Sequence, residues 1–254
     1  MAEVVTECVD GVLRVTLDRP EKLNALTWTM YDALEAACEQ AHAPEIRAMV
    51  LRSSSNRAFA AGTDITQFRA FRSGADAVAY ERRVSAVLDA ILAVPVPTLA
   101  SITGCCIGGG FLVACACDLR LASTDAVFGA PMARTLGNCL SQQSSRLLVD
   151  LLGRGPTMDL LLRARLMSAE EAHQRGFLAV VCAPEELDSL TDAELDNLRD
   201  LAPLSLWAAK AALNRTSSPP TEDEDILRTV YGSHDFRQAV EGFGSGRLPS
   251  WTGT

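Results

Sequence analysis

The sequence predicts an α/β fold in which a core of alternating strands and helices is followed by a helical C-terminal region. Two observations support this prediction: strand and helix patterns alternate through the first half of the chain, and the patterns after Leu147 are nearly all helical. Strands that alternate with helices need crossover connections, which are typical of α/β architecture. We divide the chain into a core domain, residues 1–198, and a helical C-terminal region, residues 199–254.

The first fifty residues contain a predicted hairpin, a helix and a strand. Residues 3–18 carry apolar residues on both sides of the Asp10-Gly11 turn, which predicts a β-hairpin. Apolar residues at helical spacing over 24–40, with Thr27 as a plausible N-cap, predict a helix. The short apolar run 47–52 predicts a buried strand.

The middle of the chain repeats this alternation. We predict a helix over 75–93, a strand over 98–107, a short helix over 111–117 and a strand over 119–122. The later segments read as helices joined by one linker at 217–220; the predicted helices are 145–152, 156–163, 169–175, 184–198, 203–214 and 222–242.

Composition narrows the class of protein. With 254 residues, 48% of them hydrophobic and 22% charged, the chain is long enough for one main domain with a buried core. A net charge of -9 argues against a nucleic-acid partner, which needs a concentrated basic face. The N-terminus lacks the pattern of a signal peptide, and no apolar run reaches the roughly 20 residues of a membrane span, so we expect a cytoplasmic protein without membrane contact.

The cysteines and histidines do not form a metal-binding pattern. Eight cysteines are present, but there is no CxxC pair and the three histidines are far apart in sequence. Because several cysteines lie in apolar segments, we expect reduced thiols rather than disulfides, and no metal site.

Two glycine-containing segments suggest a site that holds a negatively charged oxygen. Gly108, Gly109 and Gly110 follow an apolar strand and lead directly into a short apolar helix. Glycines let a ligand approach the backbone closely, and the first N–H groups of a helix have no partner within it. A second loop, 58–65, also follows a strand, so the two loops can direct N–H groups at one oxygen.

Four patterns, in order along the chain, give a resemblance to a known family. They are Asp18-Arg19-Pro20-Glu21-Lys22-Leu23-Asn24-Ala25-Leu26, Ala58-Phe59-Ala60-Ala61-Gly62-Thr63-Asp64-Ile65, Gly104 through Gly110 leading to Cys117-Asp118-Leu119, and Phe128-Gly129-Ala130-Pro131. The chain resembles the enoyl-CoA hydratase/isomerase family, also called the crotonase family, over essentially its whole length. The resemblance implies a ClpP-like core of repeated ββα units and a helical C-terminal region that mediates trimerisation, hence a homotrimer or a hexamer.

The resemblance also implies a substrate and a set of site residues. Family members bind an acyl-CoA thioester, with no cofactor beyond the CoA moiety, and the two oxyanion-hole amides correspond to Thr63 and Gly109. The residues expected to contact substrate are Lys22, Ala25, Ala60, Ala61, Asp64, Ile65, Gly110, Leu112 and Met132. Lys22 has the alternative of being an ordinary solvated surface lysine.

Two departures from the family pattern bear on the reaction. Leu112 and Met132 stand where hydrating members of the family have glutamates, and neither side chain can move a proton. Efficient hydration is therefore doubtful. The resemblance leaves open a decarboxylase or C–C lyase, which also needs a stabilised enolate, and a non-catalytic acyl-CoA-binding protein.

An unusually polar segment after Met132 offers replacement groups. Arg134 is a candidate for binding a substrate carboxylate, Asn138 for orienting a water, and Cys139 for acting as a nucleophile. Each has a structural alternative: an ion pair for Arg134, a helix N-cap for Asn138 and a small core residue for Cys139. Glu81 can likewise either reach the acyl pocket or lie on a solvated helix face.

Overall fold

The computed structural model describes residues 3–215, 229–236, 238 and 251–254. Its strands are β1 (Val4–Val9), β2 (Val12–Leu17), β3 (Ala48–Ser53), β4 (Ala58–Ala60), β5 (Thr98–Ile102), β6 (Cys105–Ile107), β7 (Leu119–Ser123), β8 (Val127–Gly129), β9 (Met167–Ser168) and β10 (Val180–Cys182). Its helices are α1 (Trp28–Gln40), α2 (Gly74–Ala93), α3 (Gly109–Ala116), α4 (Gln142–Leu152), α5 (Arg154–Leu162), α6 (Ala169–Gln174), α7 (Leu187–Asp200) and α8 (Pro203–Arg215).

The strands form two sheets, and the chain alternates between them. The larger sheet has the order β1-β2-β3-β5-β7-β10, and the smaller one has the order β4-β6-β8-β9. Each of the pairs β3/β4, β5/β6 and β7/β8 places one strand in each sheet and is followed by a helix. These are three ββα units, so the α/β fold of repeated ββα units is confirmed.

The single strand predicted over 98–107 is two strands in different sheets. Gly104 separates them with φ +57°, and a Cβ at this position would overlap the carbonyl group of Arg57. Strands β4 and β8 were not predicted. They have three residues each, too few to show the alternation of apolar and polar residues that marks a strand. The final third also contains strands, β9 and β10, and β10 completes the larger sheet.

Side-chain caps set the starts of two helices. Helix α1 begins at Trp28, directly after the predicted N-cap, because the Thr27 hydroxyl accepts a hydrogen bond from the N–H of Met30. Helix α4 begins three residues earlier than predicted, since Ser141 caps it by accepting from the N–H of Ser144. The predicted linker 217–220 lies outside the described residues, as does most of the predicted helix 222–242.

Helix α3 lies in the centre of the main core. All eight of its residues are buried, which agrees with its apolar sequence on every face. Phe111 of this helix packs against Phe128 and Phe177, and the three ring centroids lie 5.4–6.2 Å apart. Within the described ranges no helix is long and apolar enough to cross a membrane.

Candidate active site

Two glycine-containing loops meet at the N-terminus of α3. Strands β4 and β6 are parallel neighbours, so the loops that follow them leave the smaller sheet side by side. Gly62 and Gly108 both have positive φ, +111° and +54°, and a Cβ built on Gly108 would lie 3.5 Å from the Cα of Gly62. The sequence prediction that the two loops share one site agrees with this contact.

Two backbone N–H groups lie at this junction, those of Thr63 and Gly109. Gly109 is the first residue of α3, so its N–H lies in the turn where the helix itself offers no carbonyl. A Cβ built on Gly109 would lie 3.5 Å from the Thr63 nitrogen, which shows how close the two residues are. Among the described residues neither N–H has a hydrogen-bond acceptor. Two such donors at the positive end of a helix dipole suit a negatively charged oxygen.

A cavity of about 290 Å³ opens beside these two amides. Its apolar wall consists of Ile65, Phe68, Ile107, Pro131, Met132 and Leu136. Ile65 and Leu136 are 54% and 49% exposed, so they lie at a rim that opens to solvent. The cavity therefore joins an apolar chamber to a pair of amide donors. This combination is typical of small-molecule sites.

The polar part of the cavity wall contains a hydroxyl cluster that the sequence did not reveal. The Thr63 hydroxyl lies 2.7 Å from the Tyr31 hydroxyl and 3.0 Å from the Tyr80 hydroxyl. Tyr80 lines the cavity, whereas Tyr31 is 0% exposed. Burial raises the pKa of Tyr80 above its ordinary value, so its hydroxyl is protonated at neutral pH. Tyr31 and Tyr80 sit on α1 and α2, where aromatic residues at helical spacing indicate core packing and give no separate signal.

Six of the predicted site residues line the cavity: Ala61, Thr63, Ile65, Gly109, Met132 and Asn138. The amide oxygen of Asn138 is buried and has no hydrogen-bond partner among the described residues. An unsatisfied buried acceptor is costly, which favours a ligand or a water at this position. Asn138 does not act as the N-cap of the next helix, because Ser141 does.

Three predicted substrate-binding residues lie in the packing behind the cavity. A Cβ on Gly110 would be 2.5 Å from the Cβ and the carbonyl oxygen of Ala60, so the third glycine is required for α3 to approach β4. Leu112 is 3% exposed and belongs to the main core. These three residues support the site, and their role as substrate contacts stays a prediction.

The segment that contains Lys22 and Ala25 pairs with the first glycine loop. The N–H of Leu26 donates to the Gly62 carbonyl, and the N–H of Asp64 donates to the Leu26 carbonyl. Asp64 also forms an ion pair with Arg19 at 2.8 Å. Lys22 is exposed. The structure thus brings both predicted CoA-binding segments together, with Asp64 joining them and not lining the cavity.

The polar segment after Met132 contains two further candidates, and neither lines the cavity. Arg134 is exposed and donates to the carbonyl oxygen of Arg163 at 3.1 Å, so its guanidinium does not line the cavity. Cys139 is exposed rather than a core residue.

Glu81 on α2 is not on a solvated face: it is partly buried and accepts a hydrogen bond from the Ser141 N–H at 3.1 Å. Desolvation raises the pKa of this carboxyl.

A larger cavity of about 860 Å³ lies at the other end of α3, against α2, α4 and α8. Its wall includes Cys115, Asp118 and Lys210, and the last two form an ion pair at 2.8 Å. This cavity lies beside the C-terminus of α3, whereas Gly109 is the first residue of the helix. The amide pair therefore belongs to the smaller cavity.

Comparison with known proteins identifies the family. A model of the enoyl-CoA hydratase/isomerase family matches residues 7–253. The chain belongs to this family. It is 34% identical over 247 residues to a probable enoyl-CoA hydratase from Rhizobium meliloti, covering 90% of each chain. It is also 30% identical over 244 residues to a probable enoyl-CoA hydratase from Mycobacterium bovis, covering 94% of this chain and 93% of that one.

Solved structures of enoyl-CoA hydratase/isomerase family members confirm the crotonase fold. An enoyl-CoA hydratase/carnitine racemase from Magnetospirillum magneticum superposes with a TM-score of 0.94 at 28% identity, over 100% of this chain and 97% of that one. A putative enoyl-CoA hydratase/isomerase family protein from Hyphomonas neptunium superposes with a TM-score of 0.92 at 26% identity, over 99% and 98%. The family acts on acyl-CoA thioesters.

Proposed function

We propose that the smaller cavity binds the acyl group of a CoA thioester, with the carbonyl oxygen on the N–H groups of Thr63 and Gly109. The observation that carries the proposal is that these two amides lie together, without acceptors among the described residues, beside a largely apolar chamber. A thioester carbonyl gains negative charge when an enolate or a tetrahedral species forms, and preorganised donors stabilise that charge. One such donor is worth roughly 3 kcal/mol of barrier.

The CoA part of the ligand is proposed to lie on the paired segments around Lys22, Ala25 and the loop 61–65. Backbone hydrogen bonds and the Arg19–Asp64 ion pair hold these segments together. Their position next to the Thr63 amide lets a thioester extend from the cavity toward this surface.

We further propose that hydration of simple enoyl-CoA substrates is slow. Several relatives are named enoyl-CoA hydratases, but hydration needs an acid and a base around one water. No Asp or Glu lines the cavity among the described residues, and Met132 occupies its wall. The residue that the resemblance puts at the other glutamate position, Leu112, is buried in the core.

A second candidate function is an enolate-forming reaction such as decarboxylation or C–C cleavage. The observation that favours it is the same cavity wall, where hydroxyl and amide groups take the place of carboxylates. Such a wall stabilises an enolate and does not repel a substrate carboxylate. Of the three candidate replacement groups, Arg134, Asn138 and Cys139, it is Asn138 that lines the wall.

Calorimetry and kinetics test the proposal together. Acetyl-CoA should bind the protein more tightly than free CoA, and crotonyl-CoA should be hydrated below about 10 per second, a typical turnover for an efficient enzyme. Equal affinity for CoA and acetyl-CoA would contradict the acyl site, and faster hydration would contradict the inferred lack of acid and base groups. Acyl-CoA binding without conversion of any thioester in a broad panel would instead indicate a binding protein.

Assembly and location remain part of the proposal. We propose a homotrimer or a dimer of trimers in the cytoplasm, in line with the C-terminal helical region that the family uses for trimerisation. Light scattering of the full chain tests the assembly, and a monomer at micromolar concentration would contradict it.

A further inference from the structure

Three hydroxyl groups lead from the core to the cavity wall in a continuous hydrogen-bonded row. Tyr31 is fully buried on α1, its hydroxyl lies 2.7 Å from that of Thr63, and the Thr63 hydroxyl lies 3.0 Å from that of Tyr80. Thr63 is also one of the two residues whose amides hold the proposed thioester oxygen. The row therefore ends at the point where the acyl group is proposed to bind.

The buried tyrosine donates within the row. Among the described residues the Tyr31 hydroxyl has two acceptors within reach, the Thr63 hydroxyl at 2.7 Å and the Tyr80 hydroxyl, with which it also interacts. A buried donor without an acceptor is costly, so the Tyr31 proton goes to one of these two oxygens. Of the two tyrosines only Tyr80 lines the cavity, so its hydroxyl is the one that can accept from the row and direct its own proton to a bound ligand.

The chain of donors strengthens the last one. Hydrogen bonds in series polarise one another, so a hydroxyl that accepts a bond becomes a better donor. Burial raises the pKa of both tyrosines, so the row carries protons and no charge at neutral pH. Tyr31 thus supports the row without itself ionising.

We propose that the Tyr80 hydroxyl is a third hydrogen-bond donor to the acyl group and stabilises the enolate form of the bound thioester. It acts beside the amides of Thr63 and Gly109, and Thr63 contributes twice, through its amide and through the hydroxyl that orients Tyr80. This inference rests on the proposed function, because it requires an acyl-CoA in the cavity. It gives the site a catalytic group other than the missing glutamates.

The ring of Tyr80 is held independently of its hydroxyl. It packs against Trp28, Phe68 and Phe71 with centroid distances of 5.6, 5.0 and 6.2 Å. The variant Tyr80→Phe keeps these ring contacts and removes the proposed donor. The variant Tyr31→Phe keeps Tyr80 but removes the first bond of the row.

Acetoacetyl-CoA is a suitable probe, because its enolate absorbs differently from its keto form. The enolate fraction of the bound probe is measured against pH in the wild type, Tyr80→Phe, Tyr31→Phe and the control Tyr231→Phe, whose side chain is 60% exposed. Loss of a hydrogen bond to a charged oxygen should lower the enolate-to-keto ratio of the bound probe by about tenfold or more in Tyr80→Phe. We expect a smaller loss in Tyr31→Phe and none in Tyr231→Phe.

The remaining outcomes separate this inference from the proposed function. If the probe binds and its enolate fraction is the same in Tyr80→Phe and in the wild type, Tyr80 is not a donor to the acyl group. A drop in affinity for both CoA and the probe, with an unchanged enolate fraction, indicates a packing role and also overturns the inference. If acetoacetyl-CoA does not bind the wild type, the proposed function itself fails.

Discussion

The carboxylate of Glu81 accepts a hydrogen bond from the backbone N–H of Ser141, with Oε2 and N 3.1 Å apart. This bond joins helix α2 to the N-cap of α4 and so holds the segment that carries Asn138 against the cavity. The carboxyl is partly buried, and its pKa is raised by desolvation.

The raised pKa of Glu81 gives a pH-dependent prediction for Glu81→Gln. A carboxyl whose pKa is higher in the folded than in the unfolded chain stabilises the fold when protonated, and this stability is lost as the pH rises through the folded-state pKa. The free energy of unfolding in urea should therefore fall in the wild type between pH 4 and pH 7 relative to that of Glu81→Gln. The exposed Glu39→Gln serves as the control. A constant difference between Glu81→Gln and the wild type across this range would contradict the prediction.

The Arg19–Asp64 ion pair should show the opposite dependence on pH. Hydrogen bonds from Thr66 and from Arg19 lower the pKa of Asp64 in the folded protein. The ionised carboxylate therefore stabilises the fold above the ordinary pKa of Asp, and this contribution is lost as the pH falls through the lowered, folded-state pKa. Asp64→Asn should cost about 1–3 kcal/mol in the free energy of unfolding at pH 7 and less in acid. Asp150→Asn, which breaks an exposed pair with Arg146, should cost at most about 1 kcal/mol. Equal costs at pH 7 would refute this assignment.

Gly109 must lack a side chain because hydroxyl groups occupy the adjacent space. A Cβ there would overlap the Tyr31 hydroxyl and lie 3.0 Å from the Thr63 hydroxyl oxygen. We expect Gly109→Ala to destabilise the protein by about 1–3 kcal/mol. Adding Tyr31→Phe should recover part of this loss, giving a coupling energy above about 0.5 kcal/mol.

Gly155→Ala is the matched control for Gly109→Ala. It also lies in the first turn of a helix, α5, and nothing approaches its Cβ position within 4 Å. It should be neutral or slightly stabilising in the same unfolding measurement. Additive effects of Gly109→Ala and Tyr31→Phe would show that the two residues do not share this space.

Glutamate should have different consequences at positions 112 and 132, where the chain departs from the family pattern. Met132 lines the cavity, so Met132→Glu should fold and raise crotonyl-CoA hydration, since a positioned acid or base contributes about 100-fold or more. Met132→Gln controls for shape without a proton to transfer. Leu112→Glu should cost roughly 3–5 kcal/mol, the cost of an uncompensated buried charge. The prediction fails if Met132→Glu is no faster than Met132→Gln, or if Leu112→Glu is as stable as the wild type.

Local signals in the sequence predicted much of the fold. Thr27 marked the start of α1, and the helix predicted over 75–93 agrees with α2. The smaller sheet was missed because its strands have two or three residues, too few for a period, and because Gly104 divides one apolar run between two sheets. Which strand joins which sheet depends on packing between distant segments, which spacing along the chain does not record.

The candidate site was predictable where glycines mark a close approach and not where side chains converge. The glycine loops predicted a shared site, the family resemblance assigned its two amides to Thr63 and Gly109, and the structure places these residues together. Tyr31 and Tyr80 are far apart in sequence and belong to no motif, so their meeting on Thr63 follows only from the packing of α1 and α2. Arg134 was a candidate by charge, and its contact with the carbonyl oxygen of Arg163, 29 residues along the chain, is likewise a product of packing.

The most direct test of the account is the infrared spectrum of acetyl-CoA labelled with ¹³C at its carbonyl and bound to the protein. Hydrogen bonds from the Thr63 and Gly109 amides withdraw electron density from the carbonyl and weaken it, so its stretching band should move to lower frequency on binding. A bound carbonyl whose band stays at the position of free acetyl-CoA would show that the two amides do not hold the thioester oxygen.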